Sequence, residues 1–70
     1  MTAVLLNGER RELADPASVA AAVRAAGIPT DGRGVAVAVD GEVVPRGAWS
    51  TTELNDGQRV EVLHAVQGGS

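Results

Sequence analysis

The chain contains no cysteine, no lysine, no tyrosine and no phenylalanine, and Trp49 is its only aromatic residue. Without cysteine it has no disulfide, no thiolate metal site and no cysteine nucleophile. Its single histidine, His64, is too few for a histidine-rich zinc site, so we expect no bound metal. His64 also lacks an orienting partner, which favours an ordinary strand residue over a general base. Without lysine, copies of the chain cannot be linked to one another through side-chain amines.

Positive charge is scarce as well, since the chain has six arginines against nine acidic residues and a formal net charge of −3. This balance argues against a nucleic-acid partner. The apolar runs are too short to span a membrane, and the residues before Val19 are too polar for a signal peptide. The sequence carries no nucleophile elbow and no dinucleotide fingerprint. We therefore expect a soluble cytoplasmic protein that is not an enzyme.

Three pairs that end in glycine predict turns: Asn7-Gly8, Asp40-Gly41 and Asp56-Gly57. Around the first pair, the sequence predicts a hairpin from about Thr2 to Leu13. Around the second, Val35 to Val39 is apolar at every position, which predicts a strand that is covered on both faces or central in a small sheet.

After the second turn, the returning strand Glu42 to Val44 is expected to stop at Pro45, which cannot donate to a ladder. The last strand is predicted from Arg59 to Val66, with Val60 and Val62 pointing inward and Leu63 on the other face.

One helix is predicted between the hairpins, because the segment from Val19 to Ala26 is rich in alanine and has one narrow apolar face. Ser18 is a good N-cap, and Asp15-Pro16 is the rival start. Gly27 suits the position just past the helix end. Trp49 lies in the later crossover, where we expect it to close one end of the core.

This order of elements predicts an α+β fold, with one mixed sheet of about five strands packed on a single main helix. The first and last strands are expected to be central and parallel. Residues 1–66 would form the domain. The loop from Thr30 to Gly34 contains two glycines but lacks the P-loop pattern, so it is expected to be a connection and not a phosphate site.

The chain ends in Gln67-Gly68-Gly69-Ser70, which we expect to be a flexible tail on the last strand. Glycine has no Cβ, so a glycine pair lets the backbone enter a slot that is too narrow for side chains. From Ala65 to Gly69 the extended chain reaches about 13–14 Å, enough to enter the active site of another protein. The alternative is an ordinary disordered terminus or linker.

Several segments spread along the chain can be compared with known families. They are Asn7-Gly8-Glu9, the strand 35–39, Val44-Pro45-Arg46 with Trp49, the turn Asp56-Gly57, and the ending Val60-Glu61-Val62-Leu63 through Ala65-Val66-Gln67-Gly68-Gly69. Together, from about Val4 to Gly69, these segments resemble the ThiS family of sulfur carriers from the thiamine pathway, which are ubiquitin-like β-grasp proteins.

The resemblance implies that this chain is a protein co-substrate that holds no cofactor of its own. A ThiF-like adenylating enzyme would use ATP and magnesium to activate the terminal glycine carboxylate. Sulfur passed from cysteine by a cysteine desulfurase, or from another donor, would then displace AMP and leave a thiocarboxylate. Thiazole synthase would take that sulfur to build the thiazole of thiamine.

The resemblance also assigns roles to individual residues. Gly69 would carry the sulfur, and Gln67 with Gly68 would be the flexible approach. The residues that would face the partner enzymes are Leu63, Ala65 and Val66, with Arg46 as a further candidate. The alternative for each of them is ordinary strand or loop surface, since isolated exposed apolar residues are normal.

Ser70 departs from the family pattern, which ends at the second glycine. It places the free carboxylate one residue too far, so the chain as written is not expected to be a substrate for sulfur loading. Three explanations stay open: a peptidase removes Ser70, Ser70 is left over from cloning, or the adenylating enzyme tolerates it.

Other functions are compatible with the same pattern, because function lies in the partner surfaces and not in the fold. The chain could carry sulfur for molybdopterin, for another thio-metabolite or for tRNA thiolation. It could be a ubiquitin-like modifier joined through Gly69 to lysines elsewhere. It could also be a binding module with an inert tail.

Overall fold

The first hairpin is formed as the Asn7-Gly8 pair predicts. The computed structural model describes residues 1–28 and 33–64. In it, strand β1 (Thr2–Leu6) pairs antiparallel with strand β2 (Glu9–Leu13). Asn7 and Gly8 both have positive φ angles, 51° and 85°. This is the mirror-image turn whose twist matches that of a two-stranded ribbon.

Helix α1 spans Val19–Ala25, and Ser18 is its N-cap. The Ser18 Oγ accepts the Ala21 N–H at 3.2 Å, which satisfies one of the donors left open at a helix start. The rival start at Asp15-Pro16 is wrong. The Asp15 carboxylate instead accepts hydrogen bonds from the Thr2 hydroxyl and from the chain's amino terminus.

Gly27 lies just past the helix end, as predicted. Gly27 has a φ of 77° and donates its N–H to the Arg24 carbonyl at 3.0 Å. The Ile28 N–H reaches back to the Val23 carbonyl at 3.4 Å. These two bonds form a Schellman motif, which leaves few helix carbonyls unpaired.

The second hairpin consists of β3 (Val35–Val39) and β4 (Glu42–Val44), and the last strand is β5 (Arg59–His64). The five strands form one sheet in the order β2-β1-β5-β3-β4. β5 is parallel to β1 and antiparallel to β3. The predicted α+β architecture is therefore confirmed, and the first and last strands are adjacent and parallel.

Of the two alternatives predicted for β3, coverage on both faces is wrong. Val37 and Val39 are buried, whereas Ala36 is exposed and Ala38 is only half-buried. The helix covers one face of the sheet, and alanine loses little by lying on the open face because its side chain is a single methyl group. The other alternative was a central place in a small sheet. β3 does lie inside the sheet, between β5 and β4, but the middle strand of the five is β5.

Trp49 closes one end of the core, as predicted. It follows a short 3₁₀ turn, Arg46–Ala48, its surface is 5% exposed, and its Nε1 donates to the Val44 carbonyl at 2.9 Å. The Trp49 carbonyl in turn accepts the Ala20 N–H at 3.1 Å, which ties the crossover to the first turn of α1. The buried apolar residues form one cluster: Val4, Leu6, Leu13, Ala17, Val19, Ala22, Val23, Val37, Val39, Trp49, Leu54, Val60 and Val62.

Candidate functional site

The candidate site is built on β5, because this strand leads into the C-terminal segment. Its alternation places Val60 and Val62 in the core, 0% and 4% exposed, and leaves Glu61 and Leu63 on the open face of the sheet. β1 lies on one side of the strand and β3 on the other. β1 pairs only with the first two residues of β5, whereas β3 pairs along the strand as far as its described end.

Two turn residues hold β5 through their side chains, one at its first residue and one at its fourth. Asp40, with a φ of 49°, accepts the Arg59 N–H at 2.9 Å and the Gln58 Nε2 at 3.1 Å. These bonds hold the pKa of the Asp40 carboxyl below its usual value, the Arg59 N–H contributing most. Farther along the strand, Asn7 forms two hydrogen bonds with the backbone of Val62.

The sequence indicated Asn7 and Asp40 only as turn formers. Their bonds to β5 were missed, because the partners are 55 and 19 residues away along the chain. The signal that could have suggested them is the choice of residue. Asn and Asp tolerate the left-handed conformation as glycine does, but they add polar atoms that can bond to a neighbouring strand.

Leu63 lies on the open face of the sheet and is 68% exposed. Its partner across the β3–β5 ladder is Ala36, which is also exposed. Val43 of β4 lies on the same face at the sheet edge and is 76% exposed. This open face therefore carries apolar side chains that the domain does not bury.

Arg46 lies elsewhere. Its guanidinium carbon is 6.0 Å from the centroid of the Trp49 ring. The two residues line a shallow depression of about 240 Å³ together with Ala20 and Arg24 of the helix. Arg46 thus belongs to the helix side of the sheet and Leu63 to the open side, so the structure does not bring these two predicted partner contacts together.

The remaining predicted site residues, Ala65, Val66, Gln67, Gly68 and Gly69, lie outside the described residues, as does Ser70. The last two residues of the predicted final strand fall in the same segment. The described part of β5 ends at His64, an exposed strand residue opposite Val35.

Two further sequence expectations concern ligands and membranes. Within residues 1–28 and 33–64, no three His, Cys, Asp or Glu side chains come together as metal ligands would. Over the same residues, no helix is long and apolar enough to cross a membrane. The glycine loop that was considered for phosphate falls largely on residues 29–32, outside the described part of the chain.

Comparison with known families agrees with the strand order and with the Gly-Gly ending. The family model described as "ThiS family" matches residues 4–69. The chain belongs to the ThiS family. The match covers nearly the whole ThiS-type domain described above and extends through Gly69, the limits that the sequence resemblance indicated.

Solved structures of thiamine biosynthesis proteins share this ThiS fold. A crystal structure of the thiamine biosynthesis protein ThiS from Geobacter metallireducens is 30% identical, with a TM-score of 0.71 over 97% of this chain and 100% of that one. A solution NMR structure of a thiamine biosynthesis protein from the same organism is 28% identical. Its TM-score is 0.77, over 99% of this chain and 90% of that one.

A curated relative of this ThiS-family chain is much longer. It is a thiazole synthase from Paramagnetospirillum magneticum, 33% identical over 67 residues. These residues are 96% of this chain but 20% of the relative, so the chain spans about a fifth of that protein's length.

Proposed function

We propose that this chain is a sulfur carrier of thiamine biosynthesis and that the terminal carboxylate of Gly69 carries the sulfur. The observation that supports this most is the family match, which extends through the Gly-Gly pair to Gly69. The fold is consistent with the role, since that pair follows the central strand β5 along the chain.

The proposed chemistry takes place at the main-chain carboxylate. An α-carboxyl titrates at about pH 3.5, so that of Gly69 is ionised at neutral pH. One of its oxygens attacks the α-phosphorus of ATP in the adenylating enzyme, and pyrophosphate leaves. When hydrosulfide adds to the acyl carbon, AMP departs with the bonding electrons of the C–O bond and a thiocarboxylate remains. When the sulfur arrives as a persulfide, the same displacement gives an acyl disulfide, and a thiol then attacks the outer sulfur, forms a disulfide with it and releases the thiocarboxylate.

In this scheme the chain is a co-substrate and its partners are the enzymes. ATP and magnesium belong to the ThiF-like adenylating enzyme, and the sulfur comes from cysteine through a desulfurase or from another donor. The recipient we propose is thiazole synthase. The similarity to one segment of a thiazole synthase favours this recipient over molybdopterin synthesis or tRNA thiolation.

The direct test is the intact mass of the untagged chain, isolated from its native cells without hydrolysing conditions. We expect a chain that ends at Gly69 with one oxygen replaced by sulfur, and we expect purified thiazole synthase with its substrates to remove that sulfur. A chain that ends at Ser70 without sulfur, even when thiamine synthesis is induced, would contradict the proposal. High-mass conjugates in place of the free carrier would identify a protein modifier instead.

We further propose that the open face near the end of β5 contacts the partner enzymes. Of the predicted contacts on this surface, Leu63 lies within the described residues, and Ala65 and Val66 follow it in the chain. Arg46 would be a separate contact on the helix side. Because Leu63 is 68% exposed, its side chain contributes little to the domain's own stability and is free to pack against a partner.

Replacing Leu63 with serine is expected to weaken docking without unfolding the domain. Burying a leucine contributes about 1.5–3 kcal/mol, so KM for the carrier in ATP–pyrophosphate exchange should rise roughly tenfold or more. The measurement uses chains that end at Gly69.

Val43→Ser is the matched control for Leu63→Ser, because Val43 is at least as exposed on the same face but two strands away from β5. Its KM should stay within about twofold of the unaltered chain. Equal KM values for Leu63→Ser and the unaltered chain would remove Leu63 from the proposed surface.

A further inference from the structure

The side-chain amide of Asn7 pairs with β5 in the way that the backbone of a neighbouring strand would. Its Oδ1 accepts the Val62 N–H at 2.8 Å, and its Nδ2 donates to the Val62 carbonyl at 3.2 Å. Both polar groups of one backbone residue are therefore paired by one side-chain amide. This pairing also fixes which amide atom is which, because only the oxygen can accept and only the nitrogen can donate.

β5 needs such a partner at this point because β1 has ended. Along a strand, the N–H and C=O groups of successive residues point to opposite neighbours. The Asn7 N–H donates to the Val60 carbonyl at 2.9 Å, so Val60 and Val62 present their backbone groups to the β1 side. β1 stops at Leu6, and the chain turns away at Asn7-Gly8. Without the Asn7 amide, the Val62 backbone groups would lack this partner.

We infer that Asn7 is a positioning residue, which fixes β5 at Val62 and so positions the described end of this strand, after which the chain continues to Gly69. Val62 is two residues before His64, where the described part of the strand ends. The inference rests on the proposed carrier function, since the position of the strand end matters only if the terminal carboxylate must reach an active site.

Asp40 provides a matched comparison within the same molecule. It too is the first residue of a two-residue hairpin turn, with a φ of 49° against 51° for Asn7. It too makes two side-chain hydrogen bonds, of 2.9 and 3.1 Å. Its bond to β5, however, is at Arg59, where the strand begins, whereas that of Asn7 is at Val62.

The experiment compares Asn7→Gly with Asp40→Gly in chains that end at Gly69. Glycine keeps the positive φ at both turns, so each variant loses two side-chain bonds and keeps its hairpin. ATP–pyrophosphate exchange with a ThiF-like adenylating enzyme is measured at a temperature where circular dichroism shows both variants folded.

For Asn7→Gly we expect kcat to fall about tenfold while KM stays within about twofold, since a small misplacement of a reacting group is costly and the docking face is unchanged. Asp40→Gly should keep both constants within about twofold. Equal kcat values for the two variants, whether both lowered or both unchanged, would overturn the positioning role. No exchange with the unaltered chain ending at Gly69 would overturn the carrier function itself, and the inference with it.

Discussion

A chain that ends at Gly69 is expected to support ATP–pyrophosphate exchange with a ThiF-like adenylating enzyme, and the same chain ending at Ser70 is not. In the proposed function the reacting group is the terminal carboxylate, and one added residue moves it by about 3.3–3.6 Å. A misplacement of about 1 Å can already cost roughly 100-fold in rate, so the loss should be at least that large.

The loss could come from the extra length of the chain or from the Cβ of its last residue, and Ser70→Gly separates these two causes. This variant has the length of the full chain but no Cβ on its last residue, so it keeps the displacement and removes the steric conflict. We expect it to be as inactive as the chain that ends at Ser70. Activity of Ser70→Gly would show that the side chain, not the extra length, excludes the full chain. Equal exchange by the Gly69 and Ser70 forms would contradict the prediction altogether.

Trp49→Ala is expected to unfold the domain or bring it close to unfolding. Removing a buried tryptophan costs about 3–5 kcal/mol. A domain of 70 residues is stable by roughly 4–10 kcal/mol at about 0.05–0.15 kcal/mol per residue. The lost side chain fills the end of the core between the crossover and the helix, where the rest of the core is mainly valine and alanine with three leucines.

Trp49→Phe is the control, since it keeps an aromatic ring in the core and loses the bond from Nε1 to the Val44 carbonyl. It should cost about 1–3 kcal/mol, from the lost hydrogen bond and the smaller ring. Urea unfolding followed by far-ultraviolet circular dichroism measures both variants, because Trp49 is the only fluorophore and both remove it. A urea midpoint for Trp49→Ala equal to that of the unaltered chain would contradict its role in the core.

Local residue patterns determined most of the architecture. The turns at Asn7-Gly8 and Asp40-Gly41 follow from residues that tolerate positive φ, and the cap at Ser18 and the stop at Gly27 follow from helix-end chemistry. In each case the cause lies within a few residues of its effect. The mixed sheet was also predictable, since hairpin neighbours pair antiparallel and one helix returns the chain across the sheet.

The strand Val35–Val39 shows where local pattern is insufficient. An all-apolar run is compatible with one covered face or two, and only the count of layers decides between them. The described residues form one α-helix, which covers one face of the sheet, and Ala36 lies exposed on the other face. The same arrangement separates Leu63 from Arg46. Arg46 lies on the side of the sheet that the helix covers, and Leu63 lies on the uncovered side.

The sequence by itself determined the elements, their order and the terminal Gly-Gly pair, because each depends on neighbouring residues or on the chain end. Only the tertiary structure decided that two turn side chains hold β5 and that Leu63 is exposed on an open face. The bond between Asn7 and Val62 spans 55 positions, and a contact at that separation exists only once the sheet has brought the first strand beside the last.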